Sequence, residues 1–75
     1  MGRLNGISGK EAVIAFQKAG WIIMGQIGSH VVMTKLAMRV NLSIPQHHEL
    51  SVGTLRALIR NAGLTVDEFL QLLNR

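Results

Sequence analysis

Apolar and polar positions change rhythm along the chain, and each change predicts an element. Ala12, Val13, Phe16 and Ala19 recur at helical spacing, which gathers them into one stripe. Ser8-Gly9-Lys10-Glu11 precedes them as a capping box: the serine oxygen can accept from the amide of Glu11 while the glutamate reaches back to Ser8. Gly20 stands where a left-handed C-terminal cap belongs. A first helix is therefore predicted over residues 9–19. From Trp21 the period falls to two, and short strands are predicted over residues 21–26, 30–35 and 39–44. Gly28-Ser29 supply the first turn and residues 36–38 a brief second connection. Alternation sends Trp21, Ile23, Val31, Met33, Val40, Leu42 and Ile44 toward a core. The opposite face receives Ile22, Met24, Gln26, His30, Val32, Thr34, Arg39, Asn41 and Ser43. Pro45 ends the sheet.

Helical spacing returns after the proline. Ser51 can cap a second helix in which Leu55, Leu58, Ile59 and Ala62 form the apolar stripe, while Arg56 and Arg60 lie one turn apart on another side. Asn61-Ala62-Gly63 stops it. Thr65-Val66-Asp67-Glu68 is a second capping box, opening a terminal helix with Val66, Phe69, Leu70 and Leu73 on one stripe. The predicted class is α+β in the order α-β-β-β-α(-α). A three-stranded antiparallel meander carries the helices on one face, in a single domain spanning residues 1–75.

Composition narrows the functions open to such a module. Apolar residues make up 48% of the chain and charged ones 16%, the profile of a folded unit and not of a disordered tail. At 75 residues the chain hides only about 60% of its unfolded surface, so its core is thin. The absence of cysteine excludes a disulfide framework, a thiolate zinc site and a cysteine nucleophile. No apolar run approaches the ~18 residues that span a bilayer, and the first residues lack a signal-peptide core. A cytoplasmic protein with no membrane partner is expected. Eight Lys/Arg face four Asp/Glu, for a net charge of +4. Residues 1–60, where Glu11 and Glu49 are the only acids, carry +5, and residues 61–75 carry −1. A basic body fits a polyanion partner.

The chain carries few groups able to do chemistry. Its three histidines are the side chains suited to acid–base work near neutrality. His30 opens the second strand on the outward face; His47 and His48 are neighbours in the loop after Pro45. With no cysteine and no carboxylate pair beside them, no metal site or other cofactor is expected. Carboxylate-pair catalysis is disfavoured, because Glu11 and Glu68 read as capping residues and Asp67 as favourable helix-start charge. Phe16, Trp21 and Phe69 fall on core faces, which leaves no exposed aromatic platform for base stacking. Contact with RNA or DNA would run through phosphates. On these grounds alone an enzyme, a non-catalytic RNA-binding module and a protein-interaction subunit all remain open.

Taken in order, Ser8-Gly9-Lys10-Glu11, Lys18-Ala19-Gly20-Trp21, Gly28-Ser29-His30, Ile44-Pro45 with His47, Glu49-Leu50, Gly53-Thr54-Leu55-Arg56, Ala62-Gly63-Leu64-Thr65 and Glu68-Phe69 form a recognisable series. It resembles the HicA toxins, or YcfA-like family, of bacterial and archaeal toxin–antitoxin pairs, over roughly residues 7–73. The resemblance implies a fold similar to the double-stranded RNA-binding domain. It also implies metal-independent cleavage of messenger RNA, inhibition of translation, and neutralisation by a HicB antitoxin covering the active face. The family's catalytic histidine belongs to its Gly-Ser-His motif, which assigns that role to His30. Lys35, Arg39, Arg56, Arg60 and His47 are the candidates for RNA contact. Family members commonly carry arginine and a further polar or basic residue where this chain has Gly25 and Ile27, and a polar second turn where it has Leu36-Ala37-Met38.

The first strand breaks the pattern expected of a half-exposed strand. Trp21-Ile22-Ile23-Met24 is apolar toward both faces. Ile22 and Met24 are left on the open face beside Val32, a contiguous patch of the kind that marks an interaction site. The expected occupant is a HicB-like antitoxin or a second copy of the chain, burying His30 as it docks. Partial cover by Leu4 and Ile7 of the N-terminal arm is the competing expectation.

Overall fold

A computed structural model describes residues 4–73. Its elements run α1 (Gly9–Lys18), β1 (Ile22–Ile27), β2 (His30–Thr34), β3 (Leu42–Pro45), α2 (Val52–Asn61) and α3 (Val66–Leu73). The strands form one antiparallel sheet in the order β1-β2-β3. This is the α+β order expected. Among the described residues no helix is long and apolar enough to cross a membrane.

Local sequence sets each helix boundary. Ser8 Oγ accepts the amide of Glu11 while Glu11 accepts the amide of Ser8, both at 3.0 Å, which closes the predicted box at the start of α1. Thr65 and Glu68 do the same before α3, at 2.8 and 3.1 Å. Ser51 caps α2 by accepting the amide of Thr54. Gly20 and Gly63 end their helices at φ +99 and +76, a region that favours glycine.

The core lies between the helices and the inner sheet face, on which Val31, Met33, Leu42 and Ile44 are buried. Phe16 of α1 and Phe69 of α3 meet there with ring centroids 5.1 Å apart and tilted by 46°. Leu4, Ile7, Trp21 and Leu50 join it, together with the α2 stripe of Leu55, Leu58 and Ile59. The N-terminal arm is thus a core element. It does not cover the open face, where Ile22 and Met24 stay 64% and 60% exposed.

The sheet departs from the predicted pattern in two places. Ile23 pairs with Met33 and Gly25 with Val32, so Met24 is an extra residue, a β-bulge. Beyond it the alternation is reversed. Gln26 pairs with buried Val31 and so belongs to the inner face, whereas Ile27 pairs with His30 on the outer one. Ile23 shares the face of Met33 yet is 46% exposed. The helices pack on β3, not on the far edge, and β1 overhangs them with every residue exposed. The second departure is in the connection to β3. Residues 39–41 are not strand; the chain turns at Ala37, φ +72, and pairing resumes only at Leu42. Val40, predicted inward, is exposed as a result.

Candidate functional site

Three segments converge at one end of the sheet. Gly28 and Ser29 form a two-residue turn in which Gly28 adopts φ +59, the conformation a type II′ hairpin asks of its first central residue. His30 follows at once, exposed, on the helix-free face. Ile27 on β1 and Pro45 on β3 are its cross-strand neighbours. The imidazole therefore stands between an aliphatic side chain that is 74% exposed and a half-buried proline ring.

The chain leaving β3 is tied to this hairpin. Gln46 donates its amide to the Ser29 carbonyl at 2.7 Å. The loop then runs beside the segment that enters α1, with Gly9 donating to the His47 carbonyl at 2.9 Å and Leu50 to that of Ile7 at 2.7 Å. Gly9 makes this approach feasible, because a Cβ there would collide with the Pro45 carbonyl. Between the two segments lies a cleft of about 280 Å³ lined by Ser8, Lys10, Gln46, His47 and His48.

The remaining candidates lie elsewhere. Lys35 follows β2 at the end opposite His30, roughly 16 Å away at strand rise. Its Nζ donates to the Ala19 carbonyl at 2.8 Å, closing the C-terminus of α1. Arg39 is exposed in the β2–β3 connection at that same far end. Arg56 and Arg60 are exposed on α2, in the helix layer across the sheet from His30. Together with residues 63–66 they line a second depression of about 420 Å³. Of the residues proposed for RNA contact, only His47 is brought to the end of the sheet that holds His30. Lys10, Gln46 and His48 join it there. A signal for them existed in Gly9 and Pro45, which mark a close backbone approach, but spacing alone does not say which segments approach. Ile22 shares the outer face with Val32, which is half-buried, and Met24 bulges opposite it. Among the described residues no three His, Cys, Asp or Glu side chains gather into a group able to hold a metal.

One protein-family model matches the chain over residues 9–64; its description reads HicA toxin of bacterial toxin–antitoxin. No curated protein matches the chain. The matched stretch begins at the first turn of α1 and ends just after α2. It includes His30, the loop with His47 and His48, and the whole sheet.

Proposed function

The chain belongs to the HicA toxin family of bacterial toxin–antitoxin systems, and on that premise we propose that it is an endoribonuclease that cleaves messenger RNA and so inhibits translation. The observation that carries the proposal is the position of His30: an exposed imidazole on the helix-free sheet face, next to a two-residue turn. A strand reaching that face meets no helix in its way.

The chemistry asked of His30 is proton transfer. The 2′-hydroxyl oxygen attacks the adjacent phosphorus, forming a P–O2′ bond as the P–O5′ bond breaks. The hydroxyl proton leaves to a base and the 5′-oxygen gains one from an acid, giving a 2′,3′-cyclic phosphate and a free 5′-hydroxyl. An imidazole serves in either role near neutral pH. The reaction needs no metal ion in this reading. Neutralisation falls to an antitoxin of the HicB type that covers the same face.

The test is RNA cleavage by the purified chain in excess chelator, comparing the parent with His30→Ala. General acid–base catalysis contributes about 10²–10⁴-fold, so a rate loss of that order is expected with the fold intact by circular dichroism. Equal cleavage by parent and variant removes His30 from the mechanism. RNA bound by both but cleaved by neither leaves a non-catalytic RNA-binding module on the same fold.

A further inference from the structure

We propose that the cleft between the first turn of α1 and the β3–α2 loop seats the phosphodiester next to the scissile one, contacted by Lys10, His47 and His48. The proposal rests on the ribonuclease reading and extends it to a substrate-positioning subsite.

Three features of the cleft support it. The first is place. Pro45 is the direct cross-strand partner of His30, and His47 follows Pro45 by two residues, at most roughly 7 Å along the chain. With the roughly 5 Å between ladder partners, the His47 Cα lies within about 12 Å of the His30 Cα, a span the two side chains can divide between adjacent phosphates of an extended strand. The second is rigidity. The walls are fixed by backbone bonds from Gly9 to His47, from Leu50 to Ile7 and from Gln46 to Ser29. The third is chemistry. The carboxylates nearest in sequence are turned onto backbone amides: Glu11 accepts from Ser8 and Glu49 from Gly6, at 3.0 and 3.1 Å. The Lys10 ammonium and the imidazoles of His47 and His48 are left exposed at the cleft.

The lining also decides the class of ligand. At about 280 Å³ the cleft is at the small end of ligand pockets, enough for a phosphate and its ester oxygens. No Phe, Tyr or Trp lines it, so it offers no broad stacking platform, and the donors it presents suit a phosphate. Contacts of this kind fix register on the strand without reading sequence. Lys10 and His48 thus become positioning residues, and catalysis stays with His30.

The experiment measures binding of a 2′-O-methyl oligonucleotide, which cannot be cleaved, over a range of salt. Lys10→Ala should weaken binding about 5–10-fold at low salt and flatten the dependence of log K on log salt by about 0.7, the share of one phosphate contact on a single strand. His48→Ala should weaken it a few-fold. Lys18→Gln serves as a charge-matched control about 12 Å along α1 and should leave both quantities at parental values. On cleavable RNA, Lys10→Ala should raise KM with little change in kcat. Equal effects of Lys10→Ala and Lys18→Gln, an unchanged salt slope, or a parent that binds no oligonucleotide at low salt each overturn the subsite. A parent that binds with the predicted Lys10 dependence but leaves cleavable RNA intact keeps the subsite and overturns the ribonuclease reading.

Discussion

On the proposed reading that the outer face of β1 receives the antitoxin, Ile22 is its most direct probe. It is 64% exposed on the outer face, paired with Thr34, so truncating it removes nothing from the core. Ile22→Ala deletes three carbon groups, worth about 0.8 kcal/mol each when buried. With roughly two thirds of the side chain left to bury at an interface, the loss is about 1.5 kcal/mol, or about tenfold in Kd. Ile22→Lys adds the cost of desolvating a charge and should exceed that. Met24→Glu should behave alike, since Met24 bulges onto the same edge. The assay is titration calorimetry of each folded variant against the cognate antitoxin, with thermal melts in parallel. Melting temperatures should move by only a few degrees, because these side chains are exposed in the free chain. If Ile22→Lys and Met24→Glu both fold and bind the antitoxin with parental affinity, the docking surface lies elsewhere than the outer face of β1.

Three further outcomes test the fold. Met33 is fully buried between Ile23 and Leu42, so Met33→Ala should cost about 2–5 kcal/mol and lower the melting temperature by some 10 °C or more; a shift under about 3 °C would show a core looser than described. Ala37 holds φ +72, a conformation costing a non-glycine residue roughly 1 kcal/mol, so Ala37→Gly should raise the melting temperature by a few degrees, and a fall would contradict that turn. Gly9→Ala should destabilise by about 1–3 kcal/mol through collision with the Pro45 carbonyl; a rise, as helix propensity alone would give, would mean that α1 does not press against the loop.

Much of the fold is legible in the sequence because the signals behind it are local. A capping box is written in four consecutive residues, and both boxes appear where Ser8 and Thr65 predict them. The apolar stripe of α2 lies within one helix, and Leu55, Leu58, Ile59 and Ala62 are all buried. Strand faces are less secure, since period two holds only while the ladder is unbroken. One inserted residue at Met24 carries Ile27 to the outer face and Gln26 to the inner. Gly25 was the available sign, because a glycine inside a strand pattern often accompanies a bulge. Lys35 illustrates the other limit. Its charge and its place at the end of a strand suggest a partner outside the chain, yet its ammonium closes a helix sixteen residues away in sequence. The cleft beside Lys10 depends on how α1 docks on the β3–α2 loop, a contact between segments nearly forty residues apart that no periodicity encodes.

The bulge also bears on how inhibition works. Without it, alternation would leave Gln26, a polar side chain, on the outer face and turn Ile27 inward. With it, the residue directly across from His30 is a largely exposed isoleucine. Any partner that gains from burying Ile22, Met24 and Ile27 is thereby drawn to the histidine, because apolar burial is non-directional and follows contiguous area. The helices of so short a chain reach β3 but leave β1 overhanging, so the grease that a larger domain would enclose stays available to a second protein. On the proposed reading, occlusion of His30 follows from docking itself and needs no rearrangement of the toxin. The backbone of residues 22–34 should accordingly superpose between free and antitoxin-bound chains, with Cα differences within about 1 Å. A displaced β1–β2 hairpin in the complex would mean instead that the antitoxin acts by deforming the site.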